Sequence, residues 1–296
     1  MGGISREKEI SILSGRECVK ALRKKKYKVK ILDPKGNFIN EIRKIKPKIV
    51  FNALHGRFGE DGYIQSILES EKIKYTHSGV LASSIAMDKE VSKKIFINKK
   101  INTPKFFVYN YNNSLNIHTL IKKSKINFPI VIKPINEGSS IDVYICAKKN
   151  LNKNLKKLKK YNKILVEKYI PGREIQVAVM NNKALGAIEL KPKRKFYDYY
   201  AKYSSKAKTK HIMPAPMESK KYKEVLRIAR KAHLSLGCKG ITRSDFRYYH
   251  NKFFLLEINT QPGMTNLSLV PEIADYKGIK FENLVGWMVK DAGYNR

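Results

Sequence analysis

Apolar residues at Ile10, Leu13, Val19 and Leu22 recur close to helical spacing and predict a helix over 7–25. Short apolar runs at 29–32 and 48–53 predict buried strands, and a helix over 61–71 follows between polar turns. This alternation predicts an α/β layer with a parallel sheet. A Gly-Gly turn leading into a helix normally follows a strand, and here Gly2-Gly3 stands directly after Met1. Either the true start lies upstream, or this domain lacks its first strand.

From Asp88 onward the pattern changes. A helix over 89–98, a strand over 129–133, a Gly-Ser-Ser turn, a lysine-rich helix over 153–163 and a strand over 164–169 make a second unit. A third unit opens with strands over 174–180 and 184–190 and continues through a polar, tyrosine-rich loop. Its helix over 222–236 carries the stripe Tyr222, Val225, Leu226, Ala229 and Leu236, with Ser219 placed as N-cap and Gly237 as stop. Two apolar runs flanking His250-Asn251-Lys252 predict an antiparallel hairpin. The expected division is 1–87, 88–171 and 172–296, with no internal repeat or low-complexity linker between the units.

Composition changes this picture little. The 296 residues are 42% hydrophobic and 29% charged, as in globular proteins. No run approaches the roughly eighteen apolar residues of a membrane helix, and the first residues lack the apolar core of a signal peptide. A cytoplasmic location is the expectation. Cys18, Cys146 and Cys238 are odd in number and far apart, so neither a zinc site nor a disulfide framework is indicated. The formal net charge is +36, which would suit a nucleic-acid binder. The lysines are nevertheless spread along the chain on polar faces and loops, without a zinc finger, RNP aromatics or a basic arm. Specific nucleic-acid binding is not the expected function, although such a field draws anions.

The densest chemistry lies in the hairpin, at Arg243, Asp245, Glu257 and Asn259. A turn centred on Asn251 pairs positions summing to 502, which sets Asp245 opposite Glu257 and Arg243 on the face of Asp245. Opposed carboxylates repel unless a cation lies between them, and hard oxygen donors at this density suit magnesium held jointly with phosphate oxygens. A surface charge pair is the plainer alternative. Lys133 ends a buried strand, and a buried ammonium needs an anion. The Glu137-Gly138-Ser139-Ser140 turn behind it offers backbone N–H groups and hydroxyls to phosphate, and Glu167-Lys168 ends another strand. The P-loop pattern is absent. A glycine-rich loop at 54–62 contains His55, which taken alone would more often be structural. The tyrosine-rich stretch 196–203 suits a mobile lid.

These motifs in this order resemble the D-alanine–D-alanine ligases of the ATP-grasp superfamily. The likeness runs from Gly2-Gly3 and Ser5 to Ser11 through Leu54-His55-Gly56, Met87-Asp88-Lys89, Val131 to Ser140 and Phe196 to Tyr203, ending at Asn259 to Thr265. It implies an N-terminal Rossmann-like (pre-ATP-grasp) domain followed by a two-lobed ATP-grasp fold, α/β and α+β. It also implies that ATP phosphorylates one D-alanine and that the amine of a second attacks the acyl phosphate, a step in making peptidoglycan precursors. By resemblance Lys89, Lys133 and Lys202 contact the ATP phosphates, and Glu167, Lys168, Ile170 and Glu174 surround adenine and ribose. Asp245, Glu257 and Asn259 hold two magnesium ions, for which manganese can substitute. Arg243 and the Gly263 N–H stabilise the oxyanion. Glu7 grips the first D-alanine with His55 nearby, Ser268 and Leu269 take the second with Lys202, and Glu7, Ser139 and Tyr203 form a hydrogen-bonded link. A homodimer is implied as well.

Two departures stand out: Ile141-Asp142 follows Ser140 where the family usually continues Val-Gly, and the first strand is missing. Alternatives within the superfamily are a D-lactate or D-serine type of ligase, against which Tyr203 speaks, and another carboxylate–amine ligase.

Overall fold

The computed structural model describes residues 1–112, 115–192 and 209–296. Helix α1 (Lys8–Lys24) forms where the first apolar spacing places it and buries Ile10, Cys18, Ala21 and Leu22, whereas Leu13 of the expected stripe is exposed. Helix α2 (Phe38–Ile45), strand β1 (Ile49–Val50), helix α3 (Tyr63–Ser70) and strand β2 (Lys74–Tyr75) follow. The two strands pair in parallel as a sheet of their own. The strand expected over 29–32 does not form. That segment has no ladder partner, and an apolar cavity of about 690 Å³ is lined both by Val29 and Ile31 and by Ile49 and Phe51. A strand exists only against a neighbour that completes its hydrogen bonds, and the cavity lies where such a neighbour would stand.

Helices α4 (Val80–Met87) and α5 (Lys89–Asn98) come next. Asp88 caps α5, its carboxylate accepting the backbone N–H groups of Glu90 and Val91 at 2.9 Å each. Strand β3 (Phe106–Asn110), helix α6 (Ile117–Ser124), strands β4 (Ile130–Pro134) and β5 (Tyr144–Cys146), helix α7 (Leu151–Leu158) and strand β6 (Lys163–Lys168) build an antiparallel sheet ordered β3-β6-β4-β5. Leu151, Leu155 and Leu158, spaced four and three apart, turn one face of α7 into the core with Ile130, Ile132 and Val166. The lysine-rich helix is shorter than expected: it ends at Leu158, and a 3₁₀ turn carries on to Tyr161.

Strands β7 (Arg173–Met180), β8 (Lys183–Lys191) and β9 (Lys210–Ile212), helix α8 (Ser219–Ser235) and strands β10 (Ile241–Tyr249) and β11 (Lys252–Asn259) form the second antiparallel sheet, ordered β11-β10-β7-β8-β9. Ser219 opens α8 as its first residue, and Glu218 takes the cap position without a side-chain bond. On β7, Ile175, Val177 and Val179 join a core with Val225 and Ala229 of α8, while Ala178 faces the opposite side. That opposite side is covered by helices α9 (Leu269–Tyr276) and α10 (Phe281–Asp291) together with α1. The cores therefore cross the expected boundaries. Cys18 and Leu22 pack with Leu284 and Met288, and Phe96 of α5 lies under the five-stranded sheet with Phe246 and Phe253. No helix among the described residues is long and apolar enough to cross a membrane.

Two buried histidines give the fold an acid limit. Burial pushes His77 down to about 3 and His233 down to about 4 from an ordinary 6.5. The unfolded chain then binds more protons below about pH 6.5, so their stability contribution is complete above that value and is lost on acidification, by up to ~1.4 kcal/mol per pH unit for each histidine. Urea denaturation between pH 7 and 4.5 should show this slope, and His233→Gln should flatten it. A slope unchanged by the substitution would remove the histidine from the account.

Candidate active site

The hairpin supplies the centre of the site. Asp245 pairs with Glu257 and Arg243 with Asn259 across β10 and β11. The register arises in two steps. His250 and Asn251 take the left-handed φ values of 45° and 57° between the paired Tyr249 and Lys252, so the turn is centred half a residue before Asn251. Continued unchanged, that register would bring Asp245 opposite Leu256. A bulge between Asp245 and Phe246 shifts it by one and restores Glu257. Arg243 grips Asp245 with both ends of its fork, Nε to Oδ1 at 2.7 Å and NH2 to Oδ2 at 2.9 Å.

Among the described residues no group of three or more His, Cys, Asp and Glu side chains is gathered closely enough to form a metal cage. Magnesium does not require one, since it is commonly held by one or two carboxylates together with substrate phosphates and water. Asp245, Glu257 and Asn259 offer oxygen donors around one stretch of hairpin, and this set fits that ion.

The cations come from two other elements. Asp88 fixes the start of α5, and Lys89 at its first position sends Nζ to the Glu137 carbonyl at 2.6 Å and to Glu257 Oε2 at 3.4 Å. Lys133 on β4 donates to Glu167 Oε1 of the adjacent β6 at 2.7 Å. Lys93, one turn along α5 from Lys89, reaches the other oxygen of Glu167 at 2.9 Å and the Thr103 hydroxyl at 2.6 Å. Burial pushes the Lys93 ammonium down to about 8, with Glu167 working against that fall. Burial alone would raise the Glu167 carboxyl, yet Lys133 and Lys93 outweigh it and hold it below its ordinary value. Glu167 is thus the shared counter-ion of two buried lysines as well as a wall of the cleft.

Two chambers meet here. Glu7, His55, Ser139, Arg243, Asn259 and Gly263 line the first. Lys133, Glu167, Lys168, Ile170, Glu174 and Asp245 line the second, and Lys89, Glu137 and Glu257 line both. The Ser139 hydroxyl donates to the Glu7 carboxylate, and Glu7 presses so closely on Gly138 that a Cβ there would lie 2.7 Å from Oε1. Both ring nitrogens of His55 are engaged, Nδ1 with Glu60 at 3.0 Å and Nε2 with the Ser14 hydroxyl at 3.0 Å. Ser14 in turn accepts the Met264 N–H at 3.2 Å, and the Gln261 side chain donates to the Leu54 carbonyl. His55 therefore helps fasten the N-terminal unit to the loop carrying Gly263.

The remaining expected residues fall elsewhere. The Ser268 hydroxyl accepts the Thr265 N–H at 2.9 Å and stands where a Cβ on Gly263 would come within 2.8 Å. The Leu269 side chain is buried in the core with Ile273 and Leu284, not in either chamber. Lys202 and Tyr203, and with them the expected lid, lie outside the described residues.

Sequence reasoning missed Lys93, Ser14, Glu60, Gln176 and Arg247, the last of which lines the second chamber and reaches Glu174 Oε2 at 3.4 Å. Lys93 reads as one more surface lysine, although its spacing of four from Lys89 was a signal. Gln176 stands beside Asp245 on β7, buried, with neither amide atom hydrogen-bonded among the described residues.

A family model described as D-ala D-ala ligase C-terminus matches residues 95–290. The chain is 62% identical to the D-alanine–D-alanine ligase of Pelagibacter ubique (strain HTCC1062), covering 100% of this chain and 97% of that relative. It belongs to the D-alanine–D-alanine ligase family. The ligase of Wolbachia pipientis wMel is 47% identical, covering 98% of this chain and 92% of its own. A crystal structure of the Bacillus anthracis D-alanine–D-alanine ligase superposes with a TM-score of 0.87 at 34% identity, covering 98% of this chain and 95% of that one. A second structure of that ligase, complexed with ATP, gives 0.86 at 30%, covering 98% and 94%. The ATP-grasp architecture read from the motifs is the architecture of these ligases.

Glu167→Gln should destabilise the protein by about 3–5 kcal/mol, because it strands two buried ammonium groups. Adding Lys93→Met should recover part of that loss. Urea titration of the three variants tests it, and a Glu167→Gln midpoint equal to the wild type would refute the shared counter-ion.

Proposed function

We propose that this chain joins two D-alanines into D-alanyl-D-alanine, with ATP converted to ADP and phosphate through an acyl phosphate. The observation that carries the reading is the junction of the two chambers, where Lys89 and Glu257 border both. A phosphate chain entering from the Lys133 side would end there, beside a carboxylate arriving from the Glu7 side. Phosphoryl transfer asks mainly for positioning and charge neutralisation, and two lysines and an arginine converge on that point.

In this reading Lys89 and Lys133 bind ATP phosphates, and Lys168, Ile170, Glu167 and Glu174 border adenine and ribose. Glu7 holds the ammonium of the first D-alanine and is itself steadied by Ser139. Arg243 and the Gly263 N–H stabilise the oxyanion that forms when the second amine attacks. Arg243 is held in orientation by its bidentate bond to Asp245. The Ser268 hydroxyl, packed against Gly263, takes the carboxylate of the second D-alanine, with the Leu269 backbone behind it. Lys202 and Tyr203 are assigned to phosphate and to the Glu7–Ser139 link from the sequence motif. Asp245, Glu257 and Asn259 would hold magnesium, which when bound neutralises phosphate charge. The homodimer rests on family resemblance, and the cytoplasmic location on the sequence reading.

Purified protein should release ADP from ATP only when D-alanine is present, with D-alanyl-D-alanine as product. ADP release indifferent to D-alanine would overturn the substrate assignment. Glu257→Gln should lower turnover by at least ~100-fold, the scale of losing one electrostatic stabiliser, while its urea midpoint stays near that of the wild type. Retained turnover would take Glu257 out of the site.

A further inference from the structure

The phosphate-loop turn carries a carboxylate at Asp142, close in sequence to the backbone N–H groups offered to an anion. A carboxylate facing a polyphosphate would repel it. Asp142 does not line either chamber, whereas its neighbours Ser140 and Val143 line the second. Its carboxylate is instead surrounded on the far side. Oδ2 accepts from the Tyr161 hydroxyl at 2.5 Å, from Lys160 Nζ at 2.9 Å and from Arg6 NH1 at 3.2 Å, and Oδ1 accepts from the Tyr144 hydroxyl at 3.2 Å. Partial burial would raise this carboxyl, but Tyr161, Lys160 and Arg6 outweigh it and hold it below the usual carboxylate range.

The backbone explains why such an anchor is useful. Ser139, Ser140 and Asp142 all adopt left-handed φ values, 50°, 59° and 55°. Each is disfavoured for an L-residue against ordinary geometry, for Asp and Asn somewhat less. Within the turn, the Ile141 N–H closes on the Gly138 carbonyl at 3.0 Å. Among the described residues, further ties are made by side chains at the two ends of the turn. At one end Ser139 bonds to Glu7; at the other Asp142 bonds to Arg6. Adjacent residues of the N-terminal unit thus hold both ends, and Tyr161 and Lys160 fix the second end to the central sheet unit.

We propose that Asp142 is a positioning residue for nucleotide binding: its carboxylate clasps the 138–142 turn to Arg6, Lys160, Tyr161 and Tyr144, keeping the turn's backbone donors aimed at the ATP phosphates. The proposal rests on the ligase reading of the same site. It makes a prediction opposite to that of a merely tolerated aspartate. Glycine suits φ 55° better than aspartate does, so without a clasp Asp142→Gly would be neutral or beneficial.

The test is Mg-ATP affinity by calorimetry, together with kcat and KM for ATP in D-alanine-dependent ADP release, for wild type, Asp142→Gly, Asp142→Asn and Arg6→Gln. With the clasp, Asp142→Gly raises KM and Kd for ATP about tenfold, the effect of losing roughly one charge-assisted bond's worth of positioning, with kcat within about twofold. Asp142→Asn, which keeps the neutral hydrogen bonds and tolerates the same φ, and Arg6→Gln, which removes one partner, fall in between. An ATP affinity of Asp142→Gly within twofold of wild type overturns the clasp, as does a fall in kcat at unchanged KM. A wild type that binds ATP but shows no D-alanine-dependent ADP release defeats the ligase reading instead, and the calorimetric comparison still decides the clasp.

Discussion

Two ammonium groups held out of water by one carboxylate fix the centre of this molecule. Lys133 comes from a strand and Lys93 from a helix, and Glu167 meets one with each of its oxygens. Dehydrating any of the three alone would be prohibitive, whereas together they are close to balanced with one positive charge in excess. That excess borders the second chamber, which Lys133 and Glu167 line. The pairing also decides where α5 can sit relative to β4 and β6, and α5 in turn delivers Lys89 to the Glu257 carboxylate of the hairpin. The central sheet, the C-terminal sheet and the cation set are thereby tied to one ion triplet.

Around this centre the chain closes on itself through polar stitches and shared cores. The path Glu60, His55, Ser14 and the Met264 N–H joins the N-terminal unit to the loop of Gly263. Behind it, Cys18 and Leu22 of α1 pack with Leu284 and Met288 of α10. The segment that carries Glu7 and the loop of Gly263 therefore rest on one apolar foundation. The +36 charge finds its place in the same scheme. Most of the described lysines cover polar faces such as that of α7, and the few among them that turn inward, Lys89, Lys93 and Lys133, each meet a carboxylate.

Much of this was legible in the sequence because it depends on local periodicity. The helical spacing of α1 and α8 and the alternation in β7 follow from the sequence pattern alone. So did the opposition of Asp245 and Glu257, though by a compensation the spacing did not contain: the turn is centred half a residue early, and the bulge beside Asp245 makes up the difference. Lys93 was hard to read beyond its spacing from Lys89, because a lysine in a helix looks the same whether it faces water or a buried glutamate six elements away. The strand over 29–32 was misread because a strand needs a neighbour as well as apolar residues, and a cavity stands in its place.

Residue type and order determined by themselves that this chain builds ATP-grasp machinery, since the motifs around Lys133, Asp245 and Glu257 keep their spacing within single strands and hairpins. The tertiary structure alone decided which charges meet. It placed both oxygens of Glu167 on two lysines, set Asp142 against Tyr161 and Lys160, and committed both nitrogens of His55 to neighbours. Electrostatic partnership depends on distance through space and on the exclusion of water, and a linear pattern specifies neither until the elements have packed.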